Sequence, residues 1–460
     1  MLLTFGDDKM AVFSVIRLSE LEGAKRIDAE YYKPEYLELL SRLRKAGCVP
    51  VKDVASPVRK KFKPKKGEYF NYIEISEVDL TTGDFNTSKI IGEEAPDRAQ
   101  WVVGKDDILV STVRPVRNAV VLIKDWKENL VCSSGFSVLH PKTIQANYLF
   151  LYFKVPFIAR LLDRYTTATE YPAINWNDVL NTPIYIGNKE FQTEISFMVD
   201  KSFALLKQSR SFYFQAENLL LEELGLKDYK PGYKETYTAK LFDVFSAHRI
   251  DAEYFHPKYE EVIEKIKNYK NGFVSLLKYI ENVKPDFDPT KFPNKIFLYV
   301  ELADIDPSIG VIHNVNEIKG EEAPSRARRI LKKDDVIVSR VEGSLEKVAL
   351  VSEEYKGSLA STGFFQFRSR KILPEVLLVL SKSTVLQAQL KKACAGTILT
   401  AVPNQSLKRI LIPILPSEFQ LKIALLIRQS HEARRKAKEL LEEAKRKIER
   451  AIERSCKGVN

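Results

Sequence analysis

Residues Arg59-Lys-Lys-Phe-Lys-Pro-Lys-Lys66 place six cations and one aromatic in eight positions. Lysine and arginine at that density neutralise phosphates, and Phe62 or the following Tyr69 offers a face for sugar or base. Pro57 and Pro64 make the stretch a loop rather than a helix face. Other candidates stand beside turns. Arg98 follows Gly92-Glu-Glu-Ala-Pro96, and Arg326, Arg328 and Arg329 follow Gly320-Glu-Glu-Ala-Pro324. Arg114 and Arg117 follow the apolar run 108–113, matched by Arg340 and, loosely, Lys347. Arginine grips guanine through two parallel hydrogen bonds, although each of these side chains could equally pair with a nearby glutamate. Lys284 and Tyr171 complete the candidate DNA-binding set: Arg59, Lys60, Lys61, Lys63, Lys65, Lys66, Arg98, Arg114, Arg117, Tyr171, Lys284, Arg326, Arg328, Arg329, Arg340 and Lys347. The acidic Gly-Glu-Glu-Ala-Pro turn itself is a poor phosphate binder and reads as structural, or as a contact to a protein partner.

No constellation for catalysis accompanies these cations. The chain has no Gly-x-Gly-x-x-Gly and no Gly-x-x-x-x-Gly-Lys-Ser/Thr string. An adenine methyltransferase needs a cofactor glycine loop and an Asn/Asp-Pro-Pro-aromatic segment; the nearest string, Asn181-Thr-Pro-Ile184, lacks the second proline and the aromatic. The histidines His140, His248, His256, His313 and His431 are isolated, so neither a metal site nor a nucleophile–histidine pair is expected. Pro285-Asp286 with Glu317-Ile-Lys319 resembles a nuclease carboxylate–lysine pattern only loosely, and Lys89-Ile-Ile91 does not repeat it. The four cysteines, Cys48, Cys132, Cys394 and Cys456, are scattered and read as reduced thiols of a cytoplasmic protein. The first residues do not read as a secretory signal, no apolar run reaches the length of a membrane span, and no membrane partner is expected. The net charge of +11 favours a polyanion.

The elements that must position these side chains occur twice. Arg26-Ile-Asp-Ala-Glu-Tyr-Tyr32 returns as Arg249-Ile-Asp-Ala-Glu-Tyr-Phe255, and Lys105-Asp-Asp-Ile-Leu-Val-Ser111 as Lys333-Asp-Asp-Val-Ile-Val-Ser339. Tyr72 to Asp79 matches Tyr299 to Asp306, and Ser134-Gly-Phe136 matches Thr362-Gly-Phe364. The offset therefore runs from 223 (249 less 26) to 228 (333 less 105), far beyond the ~20–50 residues of a solenoid repeat. Each copy reads as a mixed domain: a helix opened by Pro34 or Pro257 and stopped near Gly47 or Gly272, a strand-rich middle, and a helical stretch at 147–162 or 374–390. The copies differ most at Thr166-Thr-Ala-Thr-Glu-Tyr-Pro172 against Ala395-Gly-Thr-Ile-Leu-Thr-Ala-Val-Pro403. The basic loop becomes Lys284-Pro-Asp-Phe-Asp-Pro-Thr-Lys291.

Each copy ends in a long heptad-patterned helix. Its seam runs Phe191, Ile195, Met198, Ser202, Leu205, Ser209, Phe212, Ala216, Leu219 in the first. In the second it runs Phe419, Ile423, Leu426, Ser430, Ala433, Ala437, Leu440, Ala444. Neither stretch is broken by glycine or proline, so each would reach roughly 50 Å at ~1.5 Å per residue. Bulky starts and small ends complement each other in an antiparallel intramolecular pair. The expected fold is α+β: two tandem target-recognition domains separated by two long helices, pseudo-two-fold symmetric like B-DNA itself. The expected boundaries are 1–186, 187–229, 230–414 and 415–460.

This arrangement resembles the specificity subunit of type I restriction-modification systems. The Arg-Ile-Asp-Ala-Glu-Tyr-Tyr opening and the Lys-Asp-Asp-Ile-Leu-Val-Ser strand carry the resemblance, as do the joins Pro183-Ile-Tyr-Ile to Glu190-Phe-Gln192 and Pro413-Ile-Leu-Pro to Glu418-Phe-Gln420. The resemblance implies a non-catalytic subunit that binds a bipartite, asymmetric site in double-stranded DNA. It also implies two methyltransferase (modification) subunits and restriction subunits as partners, with methyl donor and ATP on those partners and no cofactor here. The glycine expected after the strand's arginine is absent at Pro115 and only partly matched by Gly343. A stand-alone two-headed DNA-binding regulator is the alternative.

Overall fold

The computed structural model describes residues 13–19, 21, 26–126, 128–167, 171–229, 232, 234–396 and 400–458. Its contacts divide the chain into two units, residues 1–203 with 437–460 and residues 204–436. The expected boundaries gave each long helix a segment of its own. The contacts instead cut both helices part-way, because each half-helix buries apolar side chains in its own unit.

In the first unit, α1 (Pro34–Lys45) opens on proline, whose missing N–H would go unpaired there anyway. It ends against Gly47 at φ +72°. The strands are β1 (Ala55–Pro57), β2 (Tyr69–Ile73), β3 (Ser88–Ile91), β4 (Ala99–Val102), β5 (Ile108–Ser111), β6 (Val120–Leu122), β7 (Leu130–Ser133) and β8 (Phe136–Pro141). Among the described residues they form two four-stranded sheets, ordered β1-β8-β5-β6 and β3-β2-β7-β4. Only the β2–β7 pair among these is parallel. Ile73, Leu109, Val121, Cys132 and Val138 fill the space between the sheets. Ile108, Val110, Val120 and Leu122 face the helices instead. Strand β5 is thus buried on both faces, which is why its sequence is continuously apolar.

The single helix expected at 147–162 is two, α2 (Ala146–Phe153) and α3 (Pro156–Asp163). Pro156 cannot continue a helix and holds Val155 in extended backbone. A short helix α4 (Trp176–Asn181) precedes the long α5 (Lys189–Glu223).

The second unit repeats the plan. After α6 (Pro257–Lys267) come β9 (Ile280–Asn282), β10 (Ile296–Val300), β11 (Asn316–Lys319), β12 (Ala327–Ile330), β13 (Asp335–Ser339), β14 (Val348–Leu350), β15 (Leu359–Ser361) and β16 (Phe364–Ser369). The sheet orders, β9-β16-β13-β14 and β11-β10-β15-β12, are those of the first unit with every strand number raised by eight. The helical stretch is again split, into α7 (Pro374–Lys382) and α8 (Thr384–Ala393), at an extended Ser383. Gly272 is not the stop expected for α6. Asn268 caps that helix, and Gly272 turns the chain four residues later at φ +78°.

The last helix, α9 (Ser417–Lys457), runs antiparallel to α5 within each unit. In the first unit the Ser202 hydroxyl donates to the Ala437 carbonyl (3.0 Å) and Lys447 pairs with Glu194. In the second the Ser430 hydroxyl donates to the Ser209 carbonyl (2.7 Å). Seven residues forward on α5 thus match seven back on α9, as heptads in antiparallel register require. Ile195, Met198, Ser202, Ser209 and Ala216 are buried, as are Ile423, Ser430, Ala433, Ala437 and Ala444. The seam reading is incomplete at Phe191, Leu205, Phe212, Leu219, Phe419, Leu426 and Leu440, which are only half-buried. Burial spreads to Val199, Leu206, Tyr213, Leu220, Ile427, Leu441 and Ile448, since each helix also packs on its own sheets and helices.

Candidate nucleic-acid interface

The basic segment of the first unit is not a loose loop. The Phe62 amide donates to the Gln100 carbonyl (2.7 Å) and the Val102 amide to the Lys60 carbonyl (2.9 Å). The segment therefore extends the sheet from the free edge of β4. Phe62 is half-buried with its ring 4.6 Å from Phe70, so it anchors the segment rather than awaiting a base. Tyr69 is exposed, with the Lys89 amine over its ring. At the far end the Gly-Glu-Glu-Ala-Pro turn acts as a clasp. The Gly67 amide donates to the Glu93 carboxylate (3.1 Å) and the Gly92 amide to the Glu68 carbonyl (2.9 Å). A Cβ on Gly92 would lie 2.0 Å from the Lys65 carbonyl oxygen, which explains the glycine. Lys60, Lys61, Lys63 and Lys66 are exposed along this edge, whereas Lys65 pairs with Glu68 at 3.3 Å. The Arg59 guanidinium stacks 3.5 Å above the ring of Trp176, the first residue of α4. The Asn175–Asp178 capping box fixes that helix end.

Main-chain hydrogen bonds join the remaining candidates into one edge. Ser134 donates to the Arg98 carbonyl (2.7 Å) and Thr112 to that of Gly135 (2.8 Å). Arg114 donates to the Pro172 carbonyl (2.8 Å) and Ile174 to that of Thr112 (2.9 Å). Arg98, Arg117 and Tyr171 are exposed there, and Arg114 is half-buried. Arg114 and Asn118 adopt left-handed backbone around the Pro115–Arg117 turn, a conformation that side chains disfavour. Buried Lys154 holds that turn, donating to the carbonyls of Asn118 (3.1 Å) and Leu80. Burial, with Lys445 nearby, pushes its amine down to about 7. Residues 168–170 of the divergent stretch lie outside the described residues, as do 397–399 of its counterpart.

The second unit makes the same stitches with other side chains. Thr362 donates to the Arg326 carbonyl (2.8 Å), Arg340 to that of Gly363 (3.0 Å), Glu342 to that of Thr400 (2.9 Å) and Val402 to that of Arg340 (2.8 Å). Arg340 thus stands where the first unit has Thr112, and Glu342 where it has Arg114. The pairing of Arg114 with Arg340 inferred from sequence is two residues out of register. Arg340 is half-buried over Phe365, and burial lowers its pKa. Arg326 and Lys284 are exposed. Arg328 pairs with Asp288 at 2.9 Å, and the Lys347 amine donates to the Ile305 carbonyl (3.2 Å).

Arg329 faces the interior, 2% exposed, donating to the Val283 carbonyl. A bulge between Ala327 and Arg329 leaves both of these residues buried, so Arg329 is a core group and not a phosphate contact. Burial, with Arg340 nearby, pushes its pKa down to about 10. Sequence reasoning missed Trp176, Thr112 and Glu342. An aromatic at a helix start carries no signal, and the last two are visible only once the main-chain stitches set the register.

Each unit thus presents a stitched sheet edge that carries exposed cations, Arg98 and Arg117 in the first and Arg326 in the second. Among the described residues, moreover, no group of histidine, cysteine and carboxylate side chains could hold a metal ion, and no helix is long and apolar enough to cross a membrane. Residues 48–210 match the family model described as the Type I restriction modification DNA specificity domain. That description assigns the matched segment to DNA specificity in type I restriction modification. No curated protein matches the chain.

Solved structures align along most of it at low identity. One is from work on complex assembly and conformational transition of the type I R-M system (18% identity, 89% of this chain and 96% of that one, TM-score 0.33). Another is the HsdS subunit from Thermoanaerobacter tengcongensis (20%, 90% and 96%, 0.32). A third is the type I restriction-modification S subunit from M. genitalium (12%, 88% and 95%, 0.35).

Proposed function

We propose that this chain reads a bipartite, asymmetric site in double-stranded DNA, one half-site per unit, and directs two methyltransferase subunits and the restriction subunits to it. The observation that carries the reading is the pair of equivalent stitched edges with unlike side chains: Thr112 against Arg340 and Arg114 against Glu342. Equivalent geometry with different donors and acceptors is what two different half-sites call for. Methyl donor and ATP would bind the partner subunits, and the complex would work in the cytoplasm.

The test exchanges residues 50–186 for the corresponding segment of another specificity subunit and maps methylated sites in the assembled complex. One half-site should change and the other stay. A change in both would show that the units read jointly. The purified chain alone should transfer no methyl group; if it does, the subunit reading falls. Tight, sequence-specific binding without partners and no methylation with them would favour a stand-alone regulator.

A further inference from the structure

The Arg-Ile-Asp-Ala-Glu-Tyr motif is the longest identical string in the two halves, and the function above gives it no task. Its geometry is the same in both. Arg26 meets both carboxylate oxygens of Asp28 through Nε and Nη2 (2.8 Å each), and Arg249 meets those of Asp251 likewise (2.7 and 2.8 Å). Each Asp also accepts the amide of the tyrosine three residues on, Tyr31 (3.2 Å) or Tyr254 (3.1 Å). The remaining guanidinium hydrogens leave the motif altogether. Arg26 Nη2 donates to the Thr166 carbonyl (3.1 Å) and Nη1 to that of Tyr165 (3.2 Å). Arg249 Nη2 donates to the Cys394 carbonyl (2.8 Å) and Nη1 to that of Ala393 (3.5 Å). At the 228-residue offset these are the same two carbonyls, reached by the same two nitrogens. They lie at or just past the ends of α3 and α8, where carbonyls lack intrahelical partners.

A second contact repeats too. The motif tyrosine meets two cations: Tyr31 meets Arg26 (4.6 Å to the ring centre) and Arg164 (3.7 Å), and Tyr254 meets Arg249 (4.5 Å) and Lys392 (4.8 Å). Directly after the held carbonyls the chain enters the stretch where the copies diverge. Its base closes at once, through the Thr167 amide to the Ala173 carbonyl (3.3 Å) and the Ala395 amide to the Ala401 carbonyl (3.0 Å).

We propose that Arg26 and Arg249 are positioning residues for sequence discrimination, each holding the base of its own unit's divergent segment against the recognition edge. The inference rests on the DNA-reading function above. Arginine is needed because one planar fork must grip a carboxylate and still point donors at two carbonyls; a lysine amine offers three donors from a single atom.

The test compares Arg26→Lys and Arg249→Lys in the full-length chain. Both keep the charge, so the salt dependence of binding should not move. Arg26→Lys should speed amide exchange in 164–167 and 173–174 and leave 392–396 and 400–402 as they are; Arg249→Lys should do the reverse. In the complex assembled with its methyltransferase subunits, using duplexes of the mapped site, Arg26→Lys should lower discrimination against a single-base change in its own half-site about tenfold, within the range one mismatch commands. Discrimination at the other half-site should hold. Unchanged exchange in 164–167 and 173–174 overturns the anchor, and so does loss at both half-sites from one substitution, which would mark a general loss of folding. Should Arg26→Lys fail to fold, Asp28→Asn weakens the same grip and carries the same expectations for amide exchange and half-site discrimination, though not for salt dependence, because it removes a negative charge. If exchange rises as expected but the unmodified complex shows no base preference, the anchor stands and the DNA reading alone falls.

Discussion

Replacing Lys60, Lys61, Lys63 and Lys66 together by alanine isolates the electrostatic share of DNA binding. These side chains are exposed along the β4 edge, while the segment's backbone is held by bonds the substitution leaves in place: Phe62 to Gln100, Val102 to Lys60, and Gly67 to Glu93. The fold should therefore survive. Lys65 is left alone because it already pairs with Glu68. Each phosphate contact adds about 0.9 to the slope of log affinity against log salt. A fourfold rise in salt, from about 50 to about 200 mM, then weakens binding about 3.5-fold per contact, or about 150-fold for four contacts. The variant should lose that factor from its salt sensitivity, read by fluorescence anisotropy on a labelled duplex with any sequence. An unchanged slope in a variant with an unchanged melting curve would refute the assignment. The second unit offers an internal control. Its equivalent segment carries Asp286 and Asp288, so Lys284→Ala should shift the slope by at most about 0.9.

Three further outcomes follow from particular contacts. Gly92→Ala should dislodge the basic segment, since its Cβ would sit 2.0 Å from the Lys65 carbonyl; melting temperature and salt slope should both fall, and Gly320→Ala, 2.1 Å from the Phe292 carbonyl, should lower melting alone. Ser430→Ala should cost about 1 kcal/mol in urea unfolding, and the cycle with Ser209→Ala should show coupling of about 0.5 kcal/mol or more because the two hydroxyls lie 3.2 Å apart. Asp306 is buried, which raises its pKa, but Arg434 and the Ser308 hydroxyl outweigh burial and hold it below the ordinary carboxylate value. A depressed carboxylate contributes stability that is present above its unfolded pKa, near pH 4, and lost as pH falls through the lower folded value. Arg434→Met should therefore destabilise the chain at neutral pH, by about 3–5 kcal/mol for an unpaired buried charge, and the difference from the parent should shrink on acidification.

Much of the architecture was legible because it repeats or is periodic. The recurrence of Lys105–Ser111 as Lys333–Ser339 announced two equal sheet systems, and Ser202 and Ser430 at matching seam positions announced the helix pair. What failed to show was whatever depends on partners distant in sequence. The parallel β2–β7 pairing brings together residues about sixty apart, with no local signal. Arg329 looks like its neighbours Arg326 and Arg328 in sequence, yet one bulge leaves it buried. The half-buried Leu205 and Leu219 fit a two-helix seam. It is the packing of each helix on its own unit that draws Val199 and Leu220 inward as well. The basic loop was legible as a charge cluster but not as a strand-like edge, since its pairing uses main-chain atoms of Gln100 and Val102.

That reliance on main-chain atoms also explains how one scaffold can hold two chemistries. Thr112 and Arg340 donate the same amide to the same glycine carbonyl, and Arg114 and Glu342 do so to the opposite strand of the divergent segment. Every residue but proline supplies that amide, so exchanging arginine for glutamate leaves the edge's geometry in place and alters only what it shows to a groove; at 112 the threonine hydroxyl adds a second bond to the Gly135 carbonyl (2.9 Å), while the amide bond is common to both units. Positions that use a side chain to hold the edge have no such freedom. Gly92 and Gly320 must stay small, and Arg26 and Arg249 must keep a forked donor; these are the positions where the two halves are identical. Likeness and difference between the copies thus sort by which atoms do the holding. On that argument, the side chains to survey for base preference are those whose amides, and not whose side chains, stitch the edge: 114 and 174 in the first unit, and 340, 342, 401 and 402 in the second.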